Sequence, residues 1–262
     1  MDLLALRNAD WAWCTAEHRE YVEGSRVSAG VNAQERIMQG APMVLVEQIE
    51  LRMVLAAAFR VRGQIENALE QMDIACDRAR GVPIDLRCLV EAQRAEVVSS
   101  SDLGLRQIEE SAQRLLQFRN VFLARLSKNV ACTVDAVLAR ASIILGDAVG
   151  ALEWIAKNDA HGCICYEATV WMNITRAQSY VLLERPVDAL AVAESAVALV
   201  ESRQGSQDDA TVWSAVAEIA WQCGDLDQAW QWATRSIDAG QVRPRGVTPE
   251  FMPGDIVWTL GN

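Results

Sequence analysis

Residues 138–157 run LARASIILGDAVGALEWIAK: apolar side chains at helical spacing, a glycine-aspartate pair, then apolar side chains at helical spacing again. Gly146 can take the left-handed conformation that ends a helix. Asp147 stands where an N-cap would open the next helix, beside its positive dipole end. Two alanines bracket the break. Ala139 lies seven residues before Gly146, Ala151 lies five after it, and the large apolar Leu152 follows directly. A small side chain in each helix lets the backbones approach closely where they cross, and larger neighbours lock around it. The stretch reads as two amphipathic helices folded back on one another through a tight turn.

The same spacing returns as Ala56, Gly63 and Ala68-Leu69, as Ala177, Glu184 and Ala189-Leu190, and as Ala217, Gly224 and Ala229-Trp230. In one copy Glu184-Arg185-Pro186 replaces glycine-aspartate, and proline suits the first turn of a helix. Recurrence of this kind is the mark of a repeat architecture. The second alanines are 83, 38 and 40 residues apart, so a degenerate copy is expected in the first gap, at Ala92, Ser99 and Gly104-Leu105. A further copy at Glu17, Gly24 and Ala29 would put a glutamate at the helix crossing.

The expected organisation is therefore a helical N-terminal cap or degenerate repeat over 1–45, about five helix pairs over 46–240, and a non-helical tail over 241–262. The tail holds Pro244, Pro249 and Pro253 among its glycines. It also carries Phe251, Met252, Ile256, Val257, Trp258 and Leu260, which predicts that it folds back, as a cap on the last pair or into the groove.

An alanine in the first helix, glycine at the turn, alanine in the second, and Phe59 or Tyr180 three residues after the first alanine resemble a tetratricopeptide repeat. The resemblance covers roughly residues 45–240. It implies an all-α, right-handed superhelical stack of antiparallel helix pairs, an α-solenoid whose first helices line the concave face. The spacing is nearer 40 residues than the family's usual ~34, and the proline that often closes each unit is missing. Longer, looser repeats of this kind are similar to the helical sensor regions of the maltose-regulator type of bacterial transcription activator. No phosphate-binding glycine loop or basic recognition helix accompanies them.

Composition agrees with helices and narrows the partners. Only 6 prolines and 15 glycines punctuate 262 residues, too few for the many turns of a β-sandwich. The net charge is −11, with no basic block, which disfavours nucleic acid and anionic membrane surfaces. Residues 1–13 carry Asp2, Arg7 and Asp10 and do not read as a signal peptide. Seven cysteines, odd in number and scattered, read as reduced core thiols of a cytoplasmic protein.

Stepping along each first helix by three and four residues gives the expected groove face. It comprises Glu50, Met53, Ala57 and Arg60, then Thr133, Ala136, Arg140 and Ile143, then Trp171, Ile174, Gln178 and Val181, then Thr211, Ser214, Glu218 and Trp221. Arginine and tryptophan are frequent interface anchors, so the candidate binding residues are Arg60, Arg140, Trp171, Gln178, Glu218 and Trp221. The two tryptophans can also serve simply as packing between helices.

Candidate chemistry is thin. His161-Gly-Cys163-Ile-Cys165 offers at most three zinc ligands and reads better as a turn. Asp208-Asp209 fits an acidic helix N-terminus, and the two histidines, His18 and His161, stand beside no nucleophile motif. No cofactor, metal or catalytic residue is expected. The leading expectation is a scaffold, adaptor or chaperone holding a protein or peptide partner, with a homodimer left open. The alternative is a regulatory protein that senses a small molecule in the groove.

Overall fold

The computed structural model describes residues 45–61, 64–99, 104–162, 166–202 and 209–241. The expected N-terminal cap, the C-terminal tail, His18, Gly63, Cys163, Cys165 and Asp208 lie outside the described residues. Ten α-helices occupy the rest, in chain order α1 (Leu45–Val61), α2 (Ile65–Arg78), α3 (Ile84–Ser99), α4 (Leu105–Phe122), α5 (Lys128–Ile144), α6 (Ala148–His161), α7 (Tyr166–Leu182), α8 (Pro186–Glu201), α9 (Asp209–Gln222) and α10 (Leu226–Gln241). Among the described residues there is no strand, and no helix is long and apolar enough to cross a membrane.

The helices pack as five consecutive pairs, and the alanines explain how. Ala56, Ala139, Ala177 and Ala217 in the first helices are each 0% exposed, as are Ala68, Ala151, Ala189 and Ala229 in the second. Each pair closes on two methyl groups with bulkier side chains set around them.

The turns are equally regular. The amide of Asp147 donates to the carbonyl of Ser142 at 2.8 Å, Arg185 to Tyr180 at 2.9 Å, Asp225 to Ala220 at 3.0 Å and Gln64 to Phe59 at 2.9 Å. In the turns closed by Asp147, Arg185 and Asp225, the residue before the donor is left-handed, as such six-residue closing bonds require. Gly146 and Gly224 have φ of 78° and 82°, and Glu184 holds the same place with φ 56°, a conformation that strains a side chain. Asp147 and Asp225 then cap the second helix, accepting from the amides of Gly150 at 2.9 Å and Gln228 at 3.0 Å.

The degenerate copy corrects the sequence alignment. Ala92 is buried as expected, but α3 runs on through Ser99, and Gly104 is the exposed N-cap of α4. Leu105 is 61% exposed, and Ile108, the fourth residue of α4, takes the buried place that alanine holds elsewhere. Ile108 follows Ala92 by 16 residues, where the paired alanines elsewhere are 12 apart, so the register shifts by four.

Each even helix packs against the odd helices before and after it, with α10, the last of the described helices, on α9. The odd helices also touch one another in series, α1 to α3 to α5 to α7 to α9. A layer whose members meet, backed by one whose members are spread, must curve with the odd helices inside. The core lies between the layers. Cys88 and Cys132 are buried in it, and Cys76 is half-buried. Burial pushes the Cys76 thiol up to about 12, with Glu91 adding, and the Cys88 thiol up to about 11, with Asp85 adding. Thiols held so far from ionisation act as small apolar fillers.

Candidate functional site: the inner face

The helical period places positions one and four residues after the buried alanine on the inner side of each odd helix. The first position gives Ala57, Gln93, Arg140, Gln178 and Glu218; the second gives Arg60, Glu96, Ile143, Val181 and Trp221. These are half-buried or exposed wherever the helices flank them. Met53, Thr133 and Ile174, expected on the same face, are instead 2%, 8% and 2% exposed. They lie on the side of each helix that meets its neighbours, so the accessible strip is narrower than the sequence suggests.

Arg60 on α1 and Arg140 on α5 converge on one carboxylate. Glu96 of α3 lies 3.0 Å from the Arg60 guanidinium and 3.8 Å from that of Arg140. Nearby, Gln93 donates from Nε2 to the carbonyl of Met53 at 2.8 Å, tying α3 to α1. Glu96 went unnoticed in the sequence because it sits in the degenerate copy. Applying the four-residue step to Ala92 would have found it.

The Arg140 side chain is 45% exposed. Desolvation lowers its pKa, Glu96 opposes that, and Arg60 adds to it. Its guanidinium makes no hydrogen bond among the described residues, only the long ion pair to Glu96.

Gln178 on α7 is half-buried midway along the strip. Beyond it, Glu218 on α9 is exposed to solvent but flanked closely enough that desolvation raises its pKa. Gln222 donates to Glu218 Oε1 at 3.2 Å, and no cation faces it among the described residues. Trp221, one turn along from Glu218, is 37% exposed. Trp171 is placed differently: it is half-buried and packs against the core formed by α7 to α10. Thr211 carries no described side chain.

The strip thus presents two arginines around one glutamate at one end, an amide in the middle, and a carboxylate with an indole at the other. Of the six candidate residues, the structure brings Arg60 and Arg140 together, through Glu96. Among the described residues no group of three or more His, Cys, Asp or Glu side chains is placed to hold a metal ion.

No protein-family model matches the sequence, and no curated protein matches it. Solved structures do. BtubC (BKLC) from P. vanneervenii superposes with a TM-score of 0.59 at 16% identity, over 91% of this chain and 98% of that one. The nearly identical TPR-like repeats of a Podosopora anserina protein described as a kinesin light chain match with a TM-score of 0.53 at 16% identity, over 77% of this chain and 100% of that one. A single-substitution form of those repeats gives 0.54 at 15% identity, over 76% and 97%. At such identities what is shared is architecture. In fold, this chain is a TPR-like α-solenoid.

Proposed function

We propose that the chain is a protein- or peptide-binding scaffold, of the adaptor or chaperone kind, that holds an extended segment of its partner along the inner face. The observation that carries this reading is the state of Arg140 and Glu218. Both are open to solvent, both are desolvated by the surrounding helices, and neither has its charge closely matched among the described residues. Charges kept in that condition lower stability, and a ligand that matches them recovers the loss. Trp221 adds an accessible aromatic anchor beside one of them. The TPR-like architecture supports the reading, since it supplies a long continuous face rather than a closed pocket.

The test is capture of partners from cell extract by the full chain and by its Arg140→Ala variant, with melting of both as a control. Loss of a specific protein partner in a variant that melts like the wild type supports the proposal. An unchanged set of captured proteins, together with a melting shift induced by a metabolite, would favour small-molecule sensing instead.

A further inference from the structure

Resting on that reading, the positions of the groove charges specify what the bound segment carries. Arg140, Gln178 and Glu218 each follow the buried alanine of their helix by one residue, so they stand in the same register on α5, α7 and α9. We infer that the inner face accepts an extended peptide with an acidic side chain seated on Arg140 and a basic side chain, four to seven residues away, seated on Glu218 against Trp221.

Opposite signs at the two ends do the selecting. A wholly acidic segment would be repelled at Glu218, and a wholly basic one at Arg140, so the favoured ligand is dipolar. Among the described residues the Arg140 guanidinium donors have no hydrogen-bonded acceptor, and its ion-pair partner Glu96 is 3.8 Å away. A carboxylate is the acceptor that fits a guanidinium fork. Glu218 has the converse need. Desolvation raises its pKa, and a bound cation would offset that by favouring the ionised form. Trp221 lies three residues from Glu218 on the same helix face, where a guanidinium can stack on it while pairing with the carboxylate. Arginine is therefore preferred to lysine at that end.

The spacing follows from the packing. Neighbouring helix axes lie about 8–10 Å apart, so two steps separate Arg140 from Glu218 by about 16–20 Å. An extended chain advances about 3.3 Å per residue, which makes five or six residues, widened by about one either way for the reach of the side chains. Gln178 sits between them, with an amide able both to donate to and to accept from the passing backbone.

Random twelve-residue peptides displayed on phage and selected on the full-length protein test this, with Arg140→Glu, Glu218→Lys and Gln178→Arg as companions. Wild-type selections should enrich an Asp or Glu and an Arg or Lys at that spacing. A chosen peptide should lose about tenfold or more in affinity on either reversed variant. Reversing the matching peptide charge should restore it. Enriched peptides that are blocked by Gln178→Arg yet carry no such pair overturn the inference and leave groove binding standing. Peptides indifferent to all three substitutions, or no enrichment at all, overturn both. If a reversed variant melts early, Arg140→Gln and Glu218→Gln replace it, with the same loss expected.

Discussion

Arg119 on α4 and Asp135 on α5 meet as an ion pair inside the protein, the arginine 7% and the carboxylate 0% exposed at their side chains. Arg119 donates from both Nε and Nη2, the latter to Oδ2 at 3.2 Å, and its guanidinium lies 5.0 Å from the centre of the Trp154 ring. The pair joins the degenerate second pair of helices to the regular third. Removing the carboxylate strands the buried Arg119 and leaves His161, whose Nε2 lies 3.3 Å from Asp135 Oδ2, without that neighbour. Asp135→Ala should therefore cost about 3–5 kcal/mol, whereas replacing both with apolar residues of similar volume should cost far less. Urea unfolding of the single and double variants checks this, and equal losses in the two would contradict it.

Ala139 and Ala217, at the helix crossings, are each 0% exposed. Ala139→Leu and Ala217→Leu should each destabilise by about 1–3 kcal/mol, as overpacking does. Thermal unfolding followed by circular dichroism reads the effect. Two variants melting with the wild type would mean that the helices do not cross at those positions.

Glu184 stands where Gly146 and Gly224 stand in neighbouring turns, and it carries the left-handed strain that they avoid. Glu184→Gly should relieve about 1–2 kcal/mol of strain and return part of that through the greater freedom of glycine in the unfolded chain. A small net rise in melting temperature is expected. A fall would show that the Glu184 side chain contributes more than its backbone costs.

Glu218 supplies a pH signature. Desolvation raises its folded pKa above the ordinary value of 4.5. The folded state thus holds its proton more tightly than the unfolded state does. Stability from this group is complete below about 4.5 and is lost as pH rises through the folded value. Glu218→Gln should then raise the melting temperature at pH 7 and leave it unchanged near pH 4. An equal gain at both pH values would assign the effect to something other than charge.

Most of the solenoid was legible because its period is written in residues with one use each: alanine where backbones cross, glycine or a strained substitute where the helix turns back, aspartate where the next begins. The second pair was legible only in its first helix. Ala92 marks the crossing, but Ser99, where the other copies turn, is still helical, and a glycine at an N-cap looks in sequence like a small residue in a crossing. The groove was half legible. Helical stepping found Arg140, Gln178, Glu218 and Trp221, which line the strip. It could not separate them from Met53, Thr133 and Ile174, because a face wide enough to include all of them also meets the adjacent odd helix. Nor could spacing show that Arg60 and Arg140, 80 positions apart, share Glu96. That meeting depends on three pairs stacking in register.

Where a bound partner touches the protein is the most direct question left. A photoreactive benzoylphenylalanine placed at Gln178 samples the inner face, while the same residue at the exposed Val149 of α6 or Thr234 of α10 samples the outer layer. Irradiation with the captured partner should give adducts from Gln178 and none from Val149 or Thr234. Adducts from the outer positions with none from Gln178 would contradict binding along the inner face.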